Sequence, residues 1–362
     1  MARQSSLVHM LEHAANHLIP LSILFELTNR CNEDCHHCYV DLGDLEDELS
    51  TEEVQKILRE LRSMGTLFLT FTGGEIFTRK DTLDLILFAR KLGFALRLFT
   101  NGTRLTDEQI EAIAGCGVTG VEMSLYSMKA AEHDAVTRTK RSWEKTTRAA
   151  RRMRARGIPV VLKAPVMSEL GAAAGSVAAF AREIGADYRF DPVLLARYDL
   201  DDAPIERRMN RKELKGFCVD PHLGQAVGPE AEHVMDAGQP VCATARRVAL
   251  ISARGLVFPC TQRFPPCGDL RRQSFRQIWE NAPLLMRLRN LTFGDLPVCA
   301  GCSQGSFCGR CSLDALFEDG DFFAPNSWRC DLAQLRRDAY AKGGTDERHL
   351  IEARLRAHTR GE

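Results

Sequence analysis

The sequence lacks an excess of charge of either sign. Lys and Arg number 48, and so do Asp and Glu, in 362 residues, so the formal net charge is zero. Bulk DNA or RNA binding needs a basic footprint, and that class is excluded on electrostatic grounds. No apolar run approaches the roughly 20 residues that a membrane-spanning helix requires. The N-terminus, MARQSSLVHMLEHAANHLIP, sets Glu12 and several His where a signal peptide needs an unbroken apolar core. Internal repeats and low-complexity tracts are missing as well. The expectation is a soluble, cytoplasmic protein with no membrane and no bulk nucleic-acid partner.

What the chain has in quantity is cysteine. Thirteen Cys are too many for accidental core residues, and a reducing compartment disfavours disulfides. Metal or cluster ligation is the default reading, and spacing must decide which.

The first half alternates strand and helix signals. Strands are expected at Leu21–Thr28, Thr66–Thr72, Phe94–Thr100, Val118–Leu125, Ile158–Ala164 and Asp187–Asp191. Helices are expected at Glu52–Met64, Asp81–Leu92, Asp107–Ala114, around Ala130–Arg156, and at Ala172–Ile184. Ser50 and Glu53 form a capping box before the first of these. This alternation argues for an α/β fold with a parallel sheet and helical crossovers. Six units are short of the eight in a closed barrel, which suggests a partial (β/α)6 TIM barrel; an open doubly wound sheet is the competing architecture. Residues 1–20 read as an N-terminal extension, 21–191 as the partial barrel and 192–240 as a bridging segment. Residues 241–335 read as a C-terminal cysteine-rich domain, and 336–362 as a charged helical tail. Within the cysteine-rich domain, Val248–Ser252 and Leu256–Phe258 look like a hairpin with Gly255 at positive φ.

Directly after the first strand comes Cys31-x3-Cys35-x2-Cys38, followed by Tyr39. Three cysteines with no nearby fourth suit a four-iron cluster with one open iron better than a closed zinc site. His36 and His37, between the ligand cysteines, read as loop surface.

This loop resembles the signature of radical S-adenosylmethionine (radical SAM) enzymes. Thr72-Gly73-Gly74-Glu75 resembles that family's Gly-Gly-Glu motif, with Ile76 where Pro is common. Thr100-Asn101-Gly102 ends the third strand and Ser124 the fourth, and Lys163 closes the fifth. The resemblance implies that Cys31, Cys35 and Cys38 hold the SAM-cleaving [4Fe-4S] cluster. It implies that Tyr39, Gly73, Gly74, Glu75, Asn101, Ser124 and Lys163 contact S-adenosyl-L-methionine. The residues agree: every candidate follows or ends a strand, the face on which barrel active sites assemble. The two glycines permit close backbone approach to a ligand, and Glu75 could accept from an ammonium group.

The C-terminal part reads Cys242-x12-Gly255-x4-Cys260, then Cys299-x2-Cys302-x5-Cys308-x2-Cys311, then Cys330. This order is similar to the SPASM domain, which carries auxiliary iron–sulfur clusters in peptide-modifying radical SAM enzymes. Trp279 fits the same pattern. One departure is that Gly309-Arg310 gives two residues where the family has three. By resemblance, Cys299, Cys302, Cys308 and Cys330 hold an outer cluster, and Cys242, Cys260 and Cys311 an inner one. Its fourth ligand stays open among Cys218, Cys267, a carboxylate or none. A pair of zinc ribbons is the rival reading of the cysteines alone. Cys116 reads as a buried small residue.

Other signals are weaker. His9, His13 and His17 share one helix face and read as an exposed polar stripe. The basic run Arg138–Arg156 reads as a solvated outer helix, and Asp41–Glu53 as loop surface and a helix N-terminus. Asp191 and Arg197 could reach a substrate or form a salt bridge.

The whole resembles the radical SAM/SPASM subgroup that contains the pyrroloquinoline quinone precursor cyclase. It implies an oxidoreductase-type peptide modification. A 5′-deoxyadenosyl radical takes hydrogen from a peptide or protein, which is then cross-linked or oxidised. A flavodoxin- or ferredoxin-type one-electron donor is implied too. Only about 20 residues precede the first strand, too few to bury a core, so a separate leader-peptide-binding protein is expected. The rivals are side-chain decarboxylation or oxidation of a tetrapyrrole, and a non-catalytic iron–sulfur or zinc-binding scaffold.

Overall fold

The computed structural model describes residues 6–40, 47–171, 173–197, 201–220, 236–261 and 265–341. Its helices are α1 (Ser6–Asn16), α2 (Thr51–Ser63), α3 (Thr82–Lys91), α4 (Asp107–Cys116), α5 (Ala130–Thr137), α6 (Ser142–Ala155), α7 (Ala174–Glu183), α8 (Arg211–Val219), α9 (Phe275–Asn281), α10 (Pro283–Asn290), α11 (Ser312–Asp319) and α12 (Ser327–Ala341). Its strands are β1 (Ser22–Thr28), β2 (Phe68–Gly73), β3 (Ala95–Thr100), β4 (Gly120–Ser124), β5 (Val160–Pro165), β6 (Asp187–Asp191), β7 (Val248–Ile251), β8 (Leu256–Phe258) and β9 (Gly268–Asp269). The chain divides into two compact units.

The first unit comprises Met1–Pro165, Ser176–Arg207 and Ala243–Arg289. Its sheet runs β6-β5-β4-β3-β2-β1-β7-β8-β9, with β1 to β6 all parallel. Within β1 to β6, neighbours in the sheet are neighbours in sequence. A doubly wound sheet reverses its strand order among its parallel crossover strands; these six run in one direction, as in a partial barrel, and the order changes only where β7 joins β1. Alternation builds its core. Leu96 and Leu98 of β3, Val121 and Met123 of β4 and Leu162 of β5 are wholly buried, while Arg97 between them is exposed. On α2, Val54, Ile57, Leu58 and Leu61 supply the buried stripe, each worth about 1.5–3 kcal/mol. The Ser50–Glu53 capping box opens that helix in both directions.

Two features of this unit depart from expectation. The helical region around Ala130–Arg156 is two helices, because Arg138 and Arg141 both take left-handed backbone. Asp134 enforces the break by accepting from the backbone N–H groups of Arg141 and Trp143 and from the Ser142 hydroxyl. The hairpin turns at Gly255 (φ +82°) as expected, yet β7 also pairs in parallel with β1, from Ser22–Val248 to Phe25–Ile251. The barrel sheet therefore continues into the cysteine-rich sequence.

The basic face of α6 is absorbed by acids on its neighbours. Arg151 pairs with Glu183, Arg152 with Asp107 and Arg156 with Glu111.

The second unit comprises Val166–Gly175, Arg208–Cys242 and Asn290–Glu362. Here α8 packs on α12, a helix inside what reads as a bridging segment, opened by an Asn210–Glu213 capping box. Arg208 makes a bidentate pair with Glu318 of α11, both bonds 2.8 Å. The chain beyond Ala341 and residues 41–46 lie outside the described residues. No helix among the described residues is long and apolar enough to cross a membrane.

Candidate active site

The loop after β1 is tied down on two sides. Asp34 and His36 donate their backbone N–H groups to the Thr137 and Val136 carbonyls at the end of α5, and Cys38 closes a turn onto Cys35. From the other side Asn101, just past β3, donates to Asn32 at 3.2 Å, and Asn32 donates to Thr103 at 2.8 Å. Asn101 thus holds the loop that carries the three cysteines.

The Gly-Gly-Glu segment explains itself through the same loop. Gly74 and Glu75 donate backbone N–H groups to the Thr28 and Arg30 carbonyls at 2.9 and 2.8 Å. A Cβ on Gly73 (φ +130°) would lie 2.2 Å from the Thr28 oxygen, and one on Gly74 2.4 Å from the Arg30 oxygen. The close approach that demands glycine is to the chain's own backbone. Glu75 is fully buried and accepts from Phe77 N–H, Asn101 N–H and the Thr100 hydroxyl. Burial pushes its carboxyl up, and these donors pull it back. The Thr100 hydroxyl is shared between the two carboxylate oxygens, so each oxygen carries two contacts.

The three thiols sit close enough to feel one another's charge. Burial pushes Cys31 up to about 12, and raises Cys35 and Cys38 as well; Cys38 adds to the shift at Cys31, and both Cys31 and Cys38 add to that at Cys35. Arg197 opposes the rise at Cys38. Buried thiols in one loop are an uncomfortable set without a cation and a suitable one with it, because a metal deprotonates a coordinating thiol. Two buried polar atoms beside them, Glu33 Oε1 and His37 Nδ1, lack a hydrogen-bond partner. The donor set therefore fits an iron–sulfur cluster.

Four residues of this site escaped the sequence reading. His37, expected on the loop surface, turns inward; burial pushes it down to about 3, so it is neutral. Its ring packs edge-on against Tyr126 at 4.9 Å, and Tyr126 packs on His133 at 5.3 Å. His133 Nδ1 accepts from the Tyr126 backbone N–H. Glu33 receives the Cys35 thiol at 3.8 Å, and burial first, then Glu75, push it up to about 8. Burial also raises the phenol of Tyr39, with Glu26 and Cys38 adding to the shift.

Ser124 at the end of β4 is the register partner of Lys163 on β5. Lys163 Nζ lies 3.0 Å from Glu122 Oε2 and 3.2 Å over the Phe99 ring. Glu122, its side chain 3% exposed, also meets Arg97 at 3.0 Å, and Arg97 is 47% exposed. Arg197 pairs with Asp201 at 3.9 Å rather than with Asp191, which caps the Val193 N–H.

The remaining cysteines divide. In the second unit, Cys308 feels the charges of Cys330, Cys299 and Cys302, and Cys330 those of Cys299 and Cys302. Cys311, capping α11, responds instead to Asp314 and Arg329. Cys242 and the buried Cys218 belong to this unit too, whereas Cys260 and Cys267 belong to the first. Cys116 is partly buried. His13 and His17 merely stack on exposed α1. Among the described residues no group of three or more Cys, His, Asp or Glu stands close enough together to hold a single metal ion.

A six-stranded parallel half-barrel with a three-cysteine loop at the head of its first strand defines a class, and comparison with known proteins agrees. The radical SAM superfamily model matches residues 25–170, and the SPASM iron-sulfur cluster-binding domain matches residues 242–303. The chain is a radical SAM enzyme with a SPASM domain. It is 28% identical over 335 residues to the AdoMet-dependent heme synthase of Methanosarcina barkeri, covering 84% of this chain and 94% of that protein. It is also 28% identical over 323 residues to the PqqA peptide cyclase of Xanthomonas euvesicatoria, covering 83% and 85%. Among solved structures, anSMEcpe with bound AdoMet superposes with a TM-score of 0.69 at 16% identity, covering 88% of this chain and 93% of that one. Streptococcus suis SuiB bound to its precursor peptide SuiA gives 0.68 at 14% identity, covering 90% and 80%. These two show the fold.

Proposed function

We propose that this enzyme abstracts hydrogen from a peptide or protein substrate, in the maturation of a ribosomally made precursor. Cys31, Cys35 and Cys38 would hold the [4Fe-4S] cluster, which supplies the electron that cleaves SAM to the hydrogen-abstracting 5′-deoxyadenosyl radical. Glu75, a buried carboxylate directly after the glycine pair, would take the SAM ammonium. Asn101 would fix the cysteine loop against β3. Ser124 and Lys163 would border the bound cofactor from β4 and β5, and Tyr39 from the loop. Cys299, Cys302, Cys308 and Cys330 would hold an outer auxiliary cluster, and Cys242, Cys260 and Cys311 contribute to an inner one.

The observation that carries the peptide reading is the open face of β3 to β6. Arg97, Phe99, Glu122 and Lys163 share it, and Arg189 lies near enough for Lys163 to feel its charge. A tetrapyrrole presents a broad flat apolar surface and needs apolar walls to bury it. This wall is charged, with both signs present, and suits a polypeptide with ionic side chains. Both chemistries occur among proteins that resemble this chain, so substrate is the point to test.

The test uses deuterium. The anaerobic, reconstituted enzyme receives SAM, dithionite and a low-molecular-weight extract from cells of the producing organism grown in D2O. Deuterium in 5′-deoxyadenosine that vanishes when the extract is first treated with protease supports a peptide. Transfer that survives protease contradicts it and favours a tetrapyrrole. A flavodoxin or ferredoxin would replace dithionite in the cell, and a separate leader-binding protein would present the substrate. Full turnover of a purified precursor with neither added would contradict both assignments.

A further inference from the structure

Three arginines of the second unit are partly or fully withdrawn from water, and two of them are accounted for. Arg208 is bidentate to Glu318. Arg329, one residue before Cys330, meets buried Asp314 through Nε at 2.6 Å and a terminal nitrogen at 2.5 Å. Arg310 has no such partner. It is 7% exposed, and one terminal nitrogen donates to the Phe322 and Ala324 carbonyls at 3.1 and 2.6 Å. Its Nε and other terminal nitrogen are buried and meet no acceptor among the described residues.

A buried guanidinium with unused donors is unfavourable, because the charge has left water and its N–H groups have found nothing to replace it. Something anionic with acceptor atoms would resolve the site. The neighbour that feels Arg310 is Cys330, itself coupled to Cys299 and Cys302. Arg310 also occupies the two-residue spacer between Cys308 and Cys311. Its companion Gly309 runs so close to Arg329 that a Cβ there would lie 3.3 Å from the guanidinium. Ser312 Oγ, next to Cys311, is a further buried atom without a partner.

We propose that Arg310 is the charge-compensating hydrogen-bond donor of the outer auxiliary iron–sulfur cluster, its unused N–H groups serving the cluster sulfurs and its charge favouring the reduced state. A four-thiolate [4Fe-4S] cluster carries net negative charge, and accepting one electron adds another unit. A desolvated cation beside it offsets that addition, and N–H···S bonds withdraw charge from the sulfurs. Both effects move the reduction potential upward. The inference rests on reading Cys299, Cys302, Cys308 and Cys330 as cluster ligands, and is independent of the substrate.

The experiment is a redox titration followed by electron paramagnetic resonance. The full chain carries Cys31→Ala, Cys35→Ala and Cys38→Ala, so that only auxiliary clusters contribute. The outer signal is the one removed by Cys302→Ala. Into this chain go Arg310→Met, Arg310→Gln and Arg310→Lys, each assayed for iron and sulfide. Both neutral variants should shift the outer potential to more negative values at unchanged iron content. The lysine variant should lie nearer the parent, and a second auxiliary signal should stay in place. Gln keeps a polar side chain, so the reading survives a Met variant that fails to fold. An outer potential identical in the parent and in iron-replete Arg310→Gln would overturn the proposal and assign the unused donors to buried water. Zinc in place of iron in the anaerobically isolated parent would overturn the ligand reading, and Arg310's role with it.

Discussion

The two cysteine regions are built on opposite plans. In the first, three thiols occupy one short loop, and that loop is held by backbone hydrogen bonds to α5 and β2 and by Asn101 beyond β3. In the second, the thiols come from separate turns and from the first turn of α12, and Cys242, Cys302 and Cys330 are exposed. In the first, the loop itself is fixed by hydrogen bonds to the barrel. The other depends more heavily on what it binds, because metal binding and folding are one equilibrium when a site is not preformed. A site that must hold SAM against an open iron gains from rigidity, whereas a four-ligand cluster closes its own cage.

That contrast can be broken most severely at the glycines. Gly74→Ala forces a Cβ to 2.4 Å from a backbone oxygen, so β2 and the cysteine loop must separate. A loss of about 3 kcal/mol or more, with SAM binding abolished, is expected. Thermal unfolding and a SAM titration check it, and near-wild-type values would show that the loop is not fixed by this contact.

Glu75→Ala comes next. It strands the donors of Phe77, Asn101 and Thr100 in a buried site, at a cost of about 2–4 kcal/mol, and removes the acceptor assigned to the SAM ammonium. Denaturant melts should show the stability loss in the first unit while auxiliary iron, measured in the same sample, stays constant. Equal loss of auxiliary iron would mean that the two regions are not independent.

A pH effect sharpens the comparison further. Burial pushes His133 from 6.5 down to about 4. The unfolded chain therefore binds a proton that the folded one refuses between those values. The stability tied to neutral His133 is fully present above pH 6.5 and is lost as pH falls toward 4, up to about 3 kcal/mol. Unfolding of wild type and His133→Gln compared across that window should show a flatter profile for the variant; parallel profiles would deny the histidine this role. The smallest effect belongs to the basic helix. Arg151→Ala breaks an exposed pair with Glu183, and at most about 0.5 kcal/mol should be lost.

How much of this was legible in the sequence follows the same divide. The six parallel strands declare themselves because each alternates or runs apolar between helices long enough to show a stripe, and the loop cysteines lie within eight residues of one another. Strand β7 was read as half of a separate hairpin, since its pairing with β1 joins residues more than 200 positions apart and no local signal reports it. Helix α8 was passed over inside a stretch rich in Pro, Asp and Gly, although Asn210 and Glu213 gave it a capping box. His37, Tyr126 and His133 were missed because their importance is burial against each other. Asn101, expected at the cofactor, also grips Asn32, a contact that spacing along one strand cannot reveal.

The measurement closest to the central claim compares wild type, Cys35→Ala and Cys302→Ala. Each is reconstituted anaerobically with iron and sulfide, given SAM and dithionite, and assayed for 5′-deoxyadenosine by mass spectrometry beside its iron content. The expected result is product from wild type and from Cys302→Ala, and at least a thousandfold less from Cys35→Ala, about 4 kcal/mol in barrier terms, although its auxiliary iron is intact. Product from Cys35→Ala, or none from an otherwise iron-loaded Cys302→Ala, would contradict the division of labour between the two cysteine regions.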